Sequence, residues 1–279
     1  MSTAPTILIT GCSSGIGHHA AHALKARGWR VFASARRIED VCRLRAEGLE
    51  AILLDIADSH SIETAVQWLA GETGERLDAL FNNAGFGVPG AVEDLSRAAL
   101  RHQFETNVFG SIELCNAVLP WMRRQGQGRI IFNSSVLGFA AMPVRGAYNA
   151  SKFALEGFAD TLRLELAGSG VHAILLEPGP ITSRFRENAA REFAEWVEPV
   201  QSGIHAPLYA TMRERLHKPG ASTPFTLGPE ATTRALLAAL SARTPAARYR
   251  VTTPTHVFWH LKRLLPTRWL DVLLRKAGA

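Results

Sequence analysis

Tyr148 and Lys152 stand at i and i+4 in Tyr148-Asn-Ala-Ser-Lys152, a spacing that on a helix brings a phenol and an ammonium to one face. A free phenol, with a pKa near ~10, exchanges protons poorly at neutral pH. A cation beside it favours phenolate and draws that value toward the working range of an acid–base catalyst. Upstream, Ser134-Ser135 closes the apolar run Arg129-Ile-Ile-Phe-Asn133. If that run is a strand, both hydroxyls lie at its carboxyl end, the edge where open α/β sheets bind ligands. A hydroxyl there is expected to hold a substrate carbonyl beside Tyr148. Ser134 is read as a cap that satisfies the strand end.

A second group of residues has phosphate chemistry. Thr10-Gly-Cys-Ser-Ser-Gly-Ile-Gly17 follows an apolar run and opens a helical pattern. Gly11 suits a tight turn, Gly15 lets backbone N–H groups approach a pyrophosphate, and Gly17 lets the helix pack closely on the sheet. The helix N-terminus adds partial positive charge aimed at the phosphates. At the end of the next apolar run, Ser34-Ala-Arg-Arg37 carries no carboxylate before Glu39. An acid there would select the ribose 2′-OH of NAD, whereas a planar guanidinium matches a 2′-phosphate. Arg36 is expected to face that phosphate, with Arg37 assisting or simply solvated, so the expected cofactor is NADP(H).

These residues need elements to hold them. Apolar, β-branched runs at 6–10, 30–35, 51–54, 77–81, 128–133 and 171–177 read as strands. Helical patterns at 15–27, 39–46, 60–71, 96–124 and 147–167 alternate with them. Such alternation implies right-handed crossovers and a single doubly wound, Rossmann-type α/β domain, its sheet mostly parallel and covered by helices on both faces. Near-continuous apolar strands such as Ile174-Leu175-Leu176 fit burial on both faces. The domain is expected to span residues 1–253. An insertion at about 184–225 has Phe185, Phe193, Trp196, Val197, Leu208 and Met212 among charges, broken by Pro199, Pro207, Pro219 and Pro224. It is read as a mobile segment with one or two short helices. A helix at 229–242 and a last strand at 248–252 follow. Residues 254–279 form an amphipathic basic tail, with Val257, Phe258, Leu261, Leu264 and Leu265 on one face.

Composition narrows the function classes. With 47% hydrophobic and 20% charged residues the chain can bury a sizeable core. No apolar run reaches the roughly 18 residues of a membrane-spanning helix, and no secretory signal pattern opens the chain. Three cysteines, Cys12, Cys42 and Cys115, are widely spaced, which argues against a disulfide framework and a metal site and points to a reducing, cytoplasmic setting. Of the net charge of +6, residues 243–279 carry +7 and the first 242 residues −1. Two roles are open for the tail: docking on the domain or a partner subunit, or peripheral contact with an anionic membrane surface. No zinc-finger or basic-region motif accompanies it, so no nucleic-acid partner is expected.

Taken in order, the motifs resemble those of the short-chain dehydrogenase/reductase family over residues 5–183. The glycine motif comes first, then Asp55, Leu80-Phe-Asn-Asn-Ala-Gly85, Asn107, Ser135, Tyr148, Lys152 and Pro178-Gly179. The separation of Ser135 from Tyr148 matches the family spacing, which selects Ser135 over Ser134. The resemblance implies that Tyr148 delivers a proton to a carbonyl oxygen as hydride leaves the nicotinamide. It implies that Lys152 bonds the nicotinamide ribose, that Ser135 orients the carbonyl, and that Asn107 holds a proton-relaying water. Asn107 could also serve only as a helix kink. Gly11, Ser13, Ser14, Gly15, Ile16, Gly17, Asp55, Asn83, Ala84, Gly85, Pro178, Gly179, Ile181 and Ser183 are the implied cofactor contacts, with Asp55 at adenine. Two departures stand out: Ser183 replaces the usual threonine, and Ser14 stands where some NADP-preferring members carry a basic residue. The sequence looks most like the hydroxysteroid-, retinoid- and aldehyde-handling branch. A bulky apolar aldehyde or ketone, or the matching alcohol, is therefore the expected substrate, with Phe86, Val88, Met142, Pro143, Phe185, Phe193 and Trp196 as pocket wall. A homodimer or homotetramer joined through helices 96–124 and 147–167 is implied. The alternative is a non-catalytic dinucleotide-binding sensor or scaffold.

Overall fold

The computed structural model describes residues 4–218, 220–221 and 225–278. The first half runs β1 (Thr6–Ile9), α1 (Gly15–Lys25), β2 (Arg30–Ala35), α2 (Ile38–Ala46), β3 (Glu50–Leu53), α3 (Ser59–Thr73) and β4 (Ala79–Asn82). The chain continues through α4 (Arg97–Phe104), α5 (Ser111–Gln125), β5 (Gly128–Asn133), α6 (Gly146–Glu165) and β6 (Val171–Glu177). Then come α7 (Phe185–Trp196), α8 (Ala206–His217), α9 (Pro229–Ser241), β7 (Arg248–Arg250), α10 (Thr253–Leu264) and α11 (Thr267–Gly278). The strands form one seven-stranded sheet in the order β3-β2-β1-β4-β5-β6-β7, every pairing parallel. The chain reverses direction of travel across the sheet between β1 and β4, so a crevice opens above their carboxyl ends.

Pleating divides each strand between two cores. Ile7 and Ile9 of β1, Ile131 of β5 and Ile174 and Leu176 of β6 meet Ala20, Leu24, Leu44, Leu236 and Leu240 of α1, α2 and α9. The intervening Leu8, Ile130, Phe132 and Leu175 meet Ile62, Leu69, Leu114, Val118 and Leu155 of α3, α5 and α6. Burial of both faces is what keeps this parallel sheet in register, because a slip of one residue would exchange the two cores.

The helical pattern at 96–124 is not one helix. A π-helical turn, Glu105–Gly110, separates α4 from α5 and contains Asn107. Gly110 presses against the loop after β3, where an added Cβ would fall 1.6 Å from the Ile56 carbonyl oxygen. The helix is thus interrupted at the point where it touches the cleft.

The insertion is firmly attached. Phe193, Val197, Tyr209 and Met212 of α7 and α8 bury against Val88, Leu95, Ala99 and Ala147. The fully buried Tyr209 hydroxyl donates to Asp94 and accepts from the Ala91 N–H at 3.1 Å. Pro207 starts α8 rather than breaking a helix, since its missing N–H is no loss in a first turn. Pro219 and Pro224 lie outside the described residues.

The tail folds as two helices that turn back on the domain. Phe258 and Leu261 of α10 and Leu265 just after it, with Leu270 and Leu274 of α11, cover Val136 and Ala140. Arg145 and Arg215 both donate to the Gly278 carbonyl, at 3.2 and 3.1 Å. The apolar stripe is split, because Val257 and Leu264 remain exposed while their neighbours dock. Some of the basic residues are also used internally: the Arg250 and Arg263 guanidiniums lie over the Trp259 ring at 3.9 and 3.6 Å. Among the described residues no helix is long and apolar enough to cross a membrane.

Candidate active site

The cleft lies at the switch point. Its floor and one wall come from the turn after β1, the ends of β2 and β3, and the segment after β4. Gly11 and Gly15 adopt φ of +71° and +60°, a region that side chains rarely occupy. A Cβ on Gly11 would come within 2.8 Å of the Ala84 backbone, and one on Gly15 within 2.9 Å of Ser183. The turn is therefore shaped to bring backbone, not side chain, to whatever fills the cleft. Asn83 ties it to β4: its side chain donates to the Thr10 carbonyl at 2.8 Å, while the Asn83 and Ala84 N–H groups both donate to the Thr10 hydroxyl at 2.9 Å.

Gly11, Ser13, Ser14, Gly15, Ile16, Arg36, Arg37, Asp55, Asn83, Ala84, Gly85 and Ser183 together line this cleft. Both Arg36 and Arg37 are exposed, and neither forms an ion pair among the described residues. Glycine cradle and free guanidiniums together fit an anionic dinucleotide. Four further expected contacts, Gly17, Pro178, Gly179 and Ile181, are packed against neighbouring segments. Gly17 packs beneath the turn, 2.5 Å from the Asn83 amide if given a Cβ, and Gly179 packs in the same sense against Thr252, at 2.1 Å. The Pro178 carbonyl accepts from Val136 N–H at 2.8 Å, and Ile181 bridges to Leu227.

Tyr148 and Lys152 occupy the first two turns of α6, which packs on β6 and on the short 3-10 turn Val136–Gly138 that follows β5. Lys152 is buried and donates to the Asn133 carbonyl at 2.7 Å, on the cleft wall, with its ammonium 5.6 Å from the Tyr148 ring centre. The Ser135 hydroxyl accepts from Leu137 N–H at 3.1 Å and is the polar neighbour that stabilises the ionised phenol. Ser134 points the other way and donates to Glu156 at 2.5 Å. The neighbouring serines thus have separate duties.

The electrostatics differ from the expectation of a depressed phenol. Burial pushes Tyr148 up to about 12, with Ser135 opposing it. Burial also pulls Lys152 down to about 8, with Glu156 opposing. Desolvation outweighs the pairing because both groups leave water together and the ammonium is spent on Asn133. At neutral pH the site holds a protonated phenol beside a cation.

Asn107, on the π-helical turn, has both ends of its amide engaged. Its oxygen accepts from Phe86 N–H at 3.1 Å, and its nitrogen donates to the Phe86 carbonyl at 2.9 Å and the Ser151 hydroxyl at 3.1 Å. It braces the strand of chain after β4 against α6. Gln103, one turn earlier, does likewise, accepting from Val88 N–H and donating to the Phe86 carbonyl at 2.8 Å each.

The second wall is α7. Phe185 packs edge-on against Tyr148, ring centres 5.2 Å apart, and lines the cleft with Arg184, Asn188 and Arg191. Of the expected apolar wall, Phe86 and Phe185 face the cleft. Val88 and Phe193 are core residues, Trp196 stacks on His102 at 5.0 Å, and Met142 and Pro143 abut Gly278 of α11. Sequence reasoning missed Arg184, Asn188 and Arg191, whose only signal was their position after Ser183. It also missed Arg43, which donates to the Ser13 carbonyl at 2.7 Å and so fixes the glycine turn.

A family profile described as short chain dehydrogenase matches residues 5–193. The chain is 40% identical over 270 residues to the uncharacterized oxidoreductase YbbO of Escherichia coli K12, covering 97% of this chain and 94% of that one. It is 34% identical to retinol dehydrogenase 8 of Bos taurus, with 98% and 89% covered, and 34% identical to human 17-beta-hydroxysteroid dehydrogenase type 1, with 88% and 77% covered. Among solved structures, a short chain dehydrogenase/reductase of Burkholderia phymatum in complex with NAD superposes with a TM-score of 0.77 at 25% identity, covering 99% of this chain and 97% of that one. With a parallel sheet of this order and a profile spanning most of its length, the chain belongs to the short-chain dehydrogenase family and is an oxidoreductase of that family.

Proposed function

We propose that the protein is an NADP(H)-dependent reductase of bulky apolar aldehydes or ketones. The observation that carries this reading is the half-buried Tyr148 phenol, with Ser135 as its polar neighbour and the buried Lys152 ammonium one helical turn away, 5.6 Å from its ring centre. When bound, the nicotinamide exchanges a hydride with the substrate carbon. Ser135 holds the carbonyl oxygen, and Tyr148 gives that oxygen a proton, so aldehyde or ketone becomes alcohol. A phenol that stays protonated through neutral pH is in the form this direction needs. The Lys152 cation favours the negative charge left on Tyr148 after the transfer and would hold a ribose hydroxyl of the cofactor. Asn107 and Gln103 act by position, fixing Phe86 and the start of α6.

Preference for NADPH over NADH rests on Arg36 and Arg37, which face the cleft without a carboxylate partner. An apolar substrate is supported by Phe86 and Phe185 beside Tyr148 and by relatives whose names specify a retinol and a 17-beta-hydroxysteroid. Assembly as a homodimer or homotetramer is supported by the exposed apolar side chains Phe109 on the π-helical turn and Phe158 and Leu164 on α6, and light scattering of the purified chain can test it. The functional test is a turnover comparison with NADPH and NADH across alkyl, aromatic and steroid carbonyls and small polar ones. Faster turnover with NADPH on the apolar set is expected. A clear NADH preference, or reaction with small polar carbonyls alone, refutes the reading, and cofactor binding with no turnover points to a sensor.

A further inference from the structure

On the outer face of α1, away from the cleft, His18 and His22 stand one turn apart and Glu47, just past α2, reaches both. Nε2 of His18 lies 2.7 Å, and Nε2 of His22 2.8 Å, from the same carboxylate oxygen, Oε2. The two rings meet edge-to-face with centres 4.6 Å apart. The three donor atoms fall within 4.8 Å of one another, the one such His/Cys/Asp/Glu group among the described residues. Two imidazoles converging on one oxygen must each present a nitrogen to a single point, which is the arrangement a chelated cation requires. Histidines at i and i+4 with a carboxylate from another element form a recurrent ligand set for divalent transition metals.

The carboxylate is oriented from behind. Its other oxygen, Oε1, accepts from Arg43 Nη1 at 2.9 Å, and Arg43 is itself held by Asp40 at 2.9 Å and the Ser13 carbonyl at 2.7 Å. Outer partners of this kind fix metal-ligating carboxylates and preserve their direction. The nearby cations are Arg43, which pairs with both Asp40 and Glu47, and Lys25, whose ammonium donates to the Gly48 carbonyl. Arg43 engages only Oε1 of Glu47, which leaves Oε2 to the two imidazoles.

We propose that His18, His22 and Glu47 form a binding site for a divalent transition metal, best suited to zinc, that clasps α1 to the end of α2. Zinc bonds of about 2.0–2.2 Å in a tetrahedron place ligand atoms about 3.4 Å apart. The present contacts therefore open by about 0.6 Å, a rotation that three partly exposed side chains can make. Metal takes the place of the N–H protons that now point at Oε2, and water completes the fourth position. Arg43 keeps its hold on Oε1 and on the glycine turn throughout.

The test is zinc titration of the full-length chain against a chromophoric chelator, in a Cys42→Ser background because that thiol is exposed. One equivalent bound at micromolar concentration or tighter is expected, with the melting temperature raised by roughly 5 °C at hundredfold excess over Kd. His18→Gln, His22→Gln and Glu47→Gln should each weaken zinc binding more than tenfold. NADPH affinity measured in the same variants verifies that the fold persists. No binding by the parent chain, or one-equivalent binding retained in the His18→Gln/His22→Gln double variant, overturns the proposal.

Discussion

The cleft's two walls are built from different materials. The wall formed by β1, α1, β2 and the segment after β4 is backbone: turn glycines at positive φ, N–H groups, and the Thr10–Asn83 hydrogen bonds that hold them. The wall formed by α7 and α8 is side chain: Phe185 over Tyr148, and Phe193, Tyr209 and Met212 anchoring the helices to the body. A backbone wall can be lined by few sequences, because any Cβ at Gly11 or Gly15 meets its neighbour at under 3.0 Å. A side-chain wall can be redrawn by substitution without disturbing the sheet. Recognition of a common cofactor and choice of a particular substrate can therefore change independently within one cleft.

Removing the reacting phenol, which lies between the walls, should have the largest effect. Tyr148→Phe is expected to lower kcat for reduction on the order of 10³-fold, with NADPH affinity nearly unchanged by equilibrium titration. Retained turnover would break the division of labour assigned to the two walls. Next comes Arg36→Ala, on the backbone wall. Loss of a charged bond to the 2′-phosphate should weaken NADPH by roughly 10–100-fold and leave NADH within about twofold. Equal losses for both cofactors would mean that Arg36 supports the loop, not the phosphate.

The pH dependence is the third. Lys152, pulled down to about 8 by burial, is charged below that value and neutral above it. For reduction, kcat/KM is expected to fall about tenfold per pH unit above about 8, while Tyr148, held up to about 12, imposes no loss of its proton in that range. A flat profile to pH 10 would show that the cation is not required. The same shift acts on stability. Lys152 binds fewer protons folded than unfolded between about 8 and its ordinary 10.5, so this group's burial penalty is full below pH 8 and is relieved as pH rises through that window. The smallest effect is expected on the side-chain wall. Tyr209→Phe leaves the buried Ala91 N–H and Asp94 without their common partner and should lower the melting temperature by roughly 5 °C with NADPH affinity unchanged. A loss of cofactor affinity there would show that the walls are coupled.

What could be read from the sequence follows the same division. The strands and first helices were visible because burial on both sheet faces demands apolar runs of the right period, and glycine at a phosphate turn has no substitute. Helix 96–124 misled because a π-helical turn keeps helical composition. Only the contacts of Asn107 with Phe86 and of Gly110 with the loop after β3 break it. Val88 and Phe193 could be assigned to a pocket or to the core with equal justice, since both need only an apolar residue. Met142 and Pro143 meet Gly278 of α11, a contact that nothing local in the sequence marks.

The order of residues along the chain determined the parallel sheet, the glycine turn and the pairing of Tyr148 with Lys152, because each is fixed by backbone geometry over a few residues. Tertiary structure decided the rest. It set the protonation of that pair, since desolvation depends on everything packed around it, and it gave Ser134 and Ser135 opposite partners. It also brought Phe185 over Tyr148, folded the tail back onto Val136 and Ala140, and gathered His18, His22 and Glu47 to one point. Each of these depends on which segments distant in the chain come to share a surface, and no local pattern carries that information.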